Sequence, residues 1–155
     1  MLERIRQRRN DDVGLTLIEL MVVVLLTGVM IAIALPTFLG ARHRAQDRAA
    51  QSDLRHGIAA AKKYFTDGDT YLGFDETEGK TIEPSLTWVA FADPAVGAVA
   101  EDQPAASGDD VLLVAESGSG AFFCIYDSDP AGTTFGTGGA FAAVDTGAEC
   151  QDPRW

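Results

Sequence analysis

Histidine and cysteine are scarce in this chain, and over most of its length so are basic side chains. It has two histidines, His43 and His56, in 155 residues. Neither stands beside a serine, cysteine or aspartate in a recognisable catalytic motif, and a nucleophile needs a positioned base. Both read as surface residues. The two cysteines, Cys124 and Cys150, form no C-x-x-C pair and lie near no histidine in sequence, so metal-ligand spacing is absent. No phosphate loop or dinucleotide fingerprint occurs either. These absences point away from an enzyme and imply no cofactor and no metal.

Residues 64–155 hold only two basic side chains, Lys80 and Arg154, against seventeen acids, a net of −15. Residues 1–63 hold ten basic and six acidic residues, a net of +4. An acidic half of this kind repels nucleic-acid phosphates and stays soluble outside a membrane. Nucleic-acid binding is therefore not indicated. Large apolar side chains are also sparse outside one block. The length suits one domain, and its soluble core should be small.

That block is LTLIELMVVVLLTGVMIAIAL, residues 15–35, whose only charge is Glu19. Twenty-one helical residues span about 31 Å, close to the hydrocarbon thickness of a bilayer. It is too long for the apolar part of a removed signal peptide, and no small-residue cleavage site follows it. Residues 1–14 before it are polar and carry Arg4, Arg6, Arg8 and Arg9. Arg42, Arg44 and Arg48 flank the far side, so the charge rule for topology is nearly balanced. A cytoplasmic N-terminus is favoured because it places the cysteines in an oxidising space, where a disulfide is the natural state.

Beyond the block the helical pattern continues. Ala50, Leu54, Ile58, Ala61 and Phe65 recur at spacings of four, four, three and four, with Arg44, Asp47, Arg48, Gln51 and Arg55 on another face. One helix is expected over residues 15–65, about 75 Å long. Asp67-Gly68-Asp69 should end it. Strands are expected at residues 86–92, 111–116 and 121–126, with a fourth at 140–144. Residues 117–120 should make the hairpin between the second and third. Residues 93–110 and 131–139 read as loops. The helix stripe should be covered by Trp88, Phe91, Leu113, Phe123 and Ile125. Asp67-Gly68-Asp69 with Glu78 only faintly matches a calcium loop, failing at Tyr71 and Leu72. Like Asp127-Ser128-Asp129, it reads as solvated turn residues.

The string Gly14-Leu15-Thr16-Leu17-Ile18-Glu19, followed by an unbroken apolar run, resembles the processing site of type IV pilins and pseudopilins. The resemblance implies cleavage after Gly14 by a prepilin peptidase, and methylation of the new amine on Leu15. It places Glu19 at the acidic position of the family. A carboxylate inside a span is costly and needs a partner or a route to the headgroups. The family reading pairs it with the N-terminal amine of a neighbouring subunit. Gly28 and Pro36 match the family's helix-loosening positions, although Pro36 could equally be a simple membrane-helix kink. By resemblance Cys124 and Cys150 bound a C-terminal disulfide loop.

The implied fold is α+β, the pilin fold: a long N-terminal helix packed on a small antiparallel β-sheet head. The implied organisation is a leader (1–14), a hydrophobic transmembrane and assembly helix (15–40), an amphipathic continuation (41–66) and an acidic head (67–155). The implied partners are other copies of the chain, the prepilin peptidase and N-methyltransferase, the pilus assembly platform, and the lipid bilayer before assembly. The implied location is the cytoplasmic membrane, then an extracellular pilus. Two C-terminal cysteines favour a pilus subunit over a pseudopilin of a type II secretion system. A monomeric membrane-anchored binding domain is the reading of a different class. Arg42, Arg44 and Arg48 could meet either lipid headgroups or acidic surfaces of adjacent subunits.

Overall fold

Thr16 opens the longest element of the chain. Its Oγ1 accepts the Glu19 N–H at 3.2 Å, and its carbonyl accepts the Leu20 N–H at 3.1 Å, an N-cap that satisfies donors left free at a helix start. The computed structural model describes residues 15–104 and 107–155. In order they form α1 (Leu17–Gly68), α2 (Glu76–Ile82), β1 (Thr87–Ala90), β2 (Ala98–Asp102), β3 (Asp110–Glu116), β4 (Phe122–Ser128), β5 (Gly132–Gly138) and a 3-10 turn, Phe141–Ala143. The described residues fall into two units, divided between Ala41 and Arg42.

Helix α1 has 52 residues and ends where the sequence signals it. The left-handed residue is Asp69, at φ 54°, and its N–H closes onto the Phe65 carbonyl at 2.6 Å. Aspartate tolerates that conformation better than most residues. The short α2 is capped by Asp75, whose Oδ1 accepts the N–H groups of Thr77 and Glu78, both at 2.9 Å. Gly79 on α2 lies directly under the Trp88 indole. A Cβ there would sit 2.6 Å from the ring, so only glycine permits the approach.

The five strands pair in chain order, β1 to β5. Strands β2 to β5 are antiparallel, while β1 and β2 run parallel, Trp88 opposite Val99. The sheet is thus mostly antiparallel. Strand β3 is buried on both faces, which explains its continuous apolar run. Toward α1 it presents Val111, Leu113 and Ala115; these pack with Trp88, Val99, Phe123 and Ile125 against Ala50, Leu54, Ala60 and Ala61. Ile58 and Phe65 are only partly buried at the margin. The opposite face gathers Leu112, Val114, Phe122, Cys124, Val144 and Cys150 into a second core.

Several sequence expectations are corrected here. Residues 98–102, expected as loop, form β2, and the Gly-rich run 132–138 forms β5. Residues 140–144, expected as a strand, hold the 3-10 turn. Phe91 follows β1 and turns to the second core, its ring 5.4 Å from that of Phe141. Asp127 is no solvated turn residue; it lies buried within β4. Each correction has the same cause: pairing and layering with distant segments decided what local composition could not.

Strand β2 also carries Glu101 into a nearly closed position, 7% exposed. Burial raises its carboxyl to about 8, with Glu76, Asp102 and Asp75 adding repulsion. The folded state therefore holds a proton that the unfolded chain releases near 4.5. Stability is greatest below that point and falls as pH rises toward the folded value. Glu101→Gln is expected to match the parent near pH 4 and to exceed it by roughly 2–4 kcal/mol near pH 8. Urea unfolding at the two pH values checks this, and equal stability at the higher one would contradict it.

Candidate functional site

Residues 15–39 supply the most unusual surface among the described residues. Their large apolar side chains are exposed on every side of the helix, from Leu17 at 77% to Val22 at 47%. This segment has no polar stripe, so no orientation could hide it behind a soluble layer. The helix is long and apolar enough to cross a membrane. Beyond its first turn, its threonine hydroxyls are folded back on its own backbone. Thr27 Oγ1 donates to the carbonyls of Val23 and Val24 at 2.9 and 3.0 Å, and Thr37 Oγ1 to that of Ile33 at 3.5 Å. Such internal satisfaction suits surroundings that offer no hydrogen bonds.

Glu19 lies in the first turn of α1 and is exposed. Among the described residues no ion pair involves it. A first-turn acid is also favoured by the helix dipole. Thr16 and Glu19 match the Thr-x-x-Glu spacing of a capping box, a signal that pattern-reading for a processing site passed over. Leu15 is 69% exposed. Gly14, with the rest of the expected leader, lies outside the described residues.

Gly28 has nothing within 4 Å of where a Cβ would stand. Its small size is not required by any contact among the described residues. Pro36 lies inside α1 and cannot donate to the carbonyl one turn earlier. The helix nevertheless continues through both residues. At the far end of this segment Met30, Ile33, Ala34, Thr37, Phe38 and Ala41 line a shallow apolar depression.

The unit Arg42–Trp155 is held by contacts the sequence did not reveal. Asp47 on α1 accepts the hydroxyls of Ser117, at 2.7 Å, and Ser119 from the β3–β4 turn. Lys62 Nζ reaches Asp127 Oδ1 at 2.9 Å and Thr133 Oγ1 at 2.7 Å. Tyr71 donates to Asp127 Oδ2 at 2.6 Å, and Thr133 donates to Oδ1. Burial works to raise Asp127, but the donors Thr133, Tyr71 and Lys62 outweigh it and hold the carboxyl below the usual range. Burial, then the bond to Asp127, pushes the Tyr71 phenol up. No local motif announces this cluster, because its members are up to 71 residues apart.

Cys124 and Cys150 are joined in a disulfide, their Cα atoms 6.0 Å apart. Gly136 on β5 faces the bond, and a Cβ there would lie 2.7 Å from Cys124 Sγ. The C-terminal segment then covers the edge of β5, with Phe135 and Asp152 exchanging two backbone bonds at 2.7 and 2.8 Å. Trp155 packs edge-on against Phe123 and Phe135 and donates to the Gly136 carbonyl at 2.8 Å. The edge strand is thereby shielded from pairing with other chains.

The chain is similar to the type IV major pilin protein PilA of Myxococcus xanthus (strain DK1622), with 39% identity over 61 residues. The match covers 39% of this chain and 28% of that protein. No protein-family model matches the chain, and no solved structure does. The long helix followed by a mostly antiparallel sheet is a pilin-like α+β architecture. The apolar helix and the cysteine pair are in keeping with a pilin.

Proposed function

We propose that this chain is the structural subunit of a type IV pilus filament. Peptidase cleavage after Gly14 leaves Leu15 as the methylated first residue of the mature chain. The mature subunit waits in the cytoplasmic membrane, head outward, and the assembly platform moves it into a homopolymer at the cell surface. There the apolar half of α1 exchanges lipid for other copies of itself. Glu19 accepts the amine of a neighbouring copy, and the stretch from Gly28 to Pro36 supplies the looseness that packing demands. The disulfide keeps a thinly cored head folded outside the cell. The role is structural and non-enzymatic.

The observation that carries this reading is the all-round apolar exposure of residues 15–39, in a chain similar to a major pilin. Exposed apolar surface on this scale needs a lipid or protein cover. The test is mass spectrometry of filaments sheared from cells. The expected polypeptide begins at Leu15 and carries one methyl group on its amine. A surface form that still holds residues 1–14, or the absence of any sheared filament containing the chain, would overturn the proposal.

A further inference from the structure

The unit Arg42–Trp155 has two electrically opposite ends. At one, Arg42, Arg44 and Arg48 stand exposed on α1, with Asp47 among them and the partly exposed Glu116 just before Ser117 as the nearby acids. Asp47 is already engaged by the hydroxyls of Ser117 and Ser119. Among the described residues no ion pair involves any of the three arginines. The β3–β4 turn marks this end, since Ser117 and Ser119 belong to it.

At the other end, Asp67 and Asp69 close α1, Asp109 leads into β3, and Asp129 follows β4. These segments meet: the Tyr71 N–H donates to the Gly108 carbonyl at 2.7 Å, and the Asp129 N–H to that of Asp109 at 2.9 Å. All four carboxylates are exposed. Of the nearby cations, Lys62 is held by Asp127, which leaves Lys63, one helical turn from Asp67, as the local counter-charge. From Arg44 to Asp67 is roughly 35 Å of helix. Screening in physiological salt acts over about 8 Å, so the two ends cannot neutralise each other within one chain.

We infer that the Arg42–Arg44–Arg48 band docks on the acidic end, Asp67, Asp69, Asp109 and Asp129, of a second copy, and that this contact sets the axial register of the heads. The inference rests on the filament reading above. Copies displaced along a common axis bring one subunit's cationic end to another's acidic end. Anionic lipid headgroups offer the arginines the same chemistry, but lipid leaves the acidic end without a partner. A second copy satisfies both ends at once, and complementary charge of this kind fixes register and excludes wrong alignments.

The test uses full-length chains in cells, comparing sheared filaments with membrane-held protein. One variant carries Arg42→Glu, Arg44→Glu and Arg48→Glu. A second carries Asp67→Lys, Asp69→Lys, Asp109→Lys and Asp129→Lys. A third carries all seven changes. Each partial set is expected to reduce filaments about tenfold, and the full exchange to restore most of the yield. Wild-type filaments should also release more subunits as salt rises. Unimpaired assembly of either partial set overturns the inference, as does salt-indifferent wild-type filament. Loss of membrane retention in the arginine set without recovery in the full exchange assigns the arginines to lipid and overturns it too. A wild-type chain that forms no filament removes the underlying reading first, which separates the two failures.

Discussion

Replacing Glu19 with alanine is expected to leave the chain clipped and held in the membrane, while filament yield falls at least about tenfold. The carboxylate stands in an otherwise apolar surface and has no ionic partner among the described residues. Covered by other copies of the helix, it would be a buried charge, and a buried charge without a counter-ion is strongly unfavourable. In the proposed filament the amine exposed by cleavage would supply that counter-ion. Glu19 also sits at the third position of a capped helix, and loss of a cap alone costs only about 1 kcal/mol. Glu19→Gln separates the two roles. Glutamine keeps the capping geometry and loses the charge, so it should assemble as poorly as alanine. Quantifying sheared filaments from the two variants decides it. Wild-type yield from the glutamine variant would remove the ionic role.

Removing the disulfide with Cys150→Ala is expected to destabilise the head by about 3 kcal/mol, through the entropy of the loop it closes. The cysteines are 26 residues apart in sequence, and the loop includes β5 and the 3-10 turn. For a unit of this size the unfolding midpoint should fall by about 10–20 °C. The link lies in the second core, where Val144 and Cys150 also meet the sheet through the Phe135–Asp152 pairing and the Thr134 hydroxyl, which donates to the Cys150 carbonyl. Thermal unfolding of the detergent-solubilised chain, followed by near-ultraviolet circular dichroism of its aromatic cluster, measures the shift. A midpoint change of less than about 3 °C would show that the other contacts of the C-terminal segment hold it without the disulfide.

What the sequence by itself determined was whatever rests on local periodicity and on covalent chemistry. An apolar run about as long as a bilayer core is deep, followed without a break by a helical stripe, specifies one long helix, because side-chain spacing along a helix is a short-range property. Asp67-Gly68-Asp69 marked its end to within a few residues, for the same reason. Leu54, Ala61, Leu113, Phe123 and Ile125 were legible as core, and so was the pairing of the only two cysteines. The tertiary structure alone decided the rest. Residues 98–102 became a strand because β1 lies parallel to them and β3 antiparallel, and residues 132–138 because β4 offers seven paired positions and the disulfide leaves room only for Gly136. The Lys62–Asp127–Tyr71 cluster and the gathered acidic end were invisible for a further reason. Each is assembled from segments far apart in the chain, and the free energy of a long-range contact is written in no single stretch of residues.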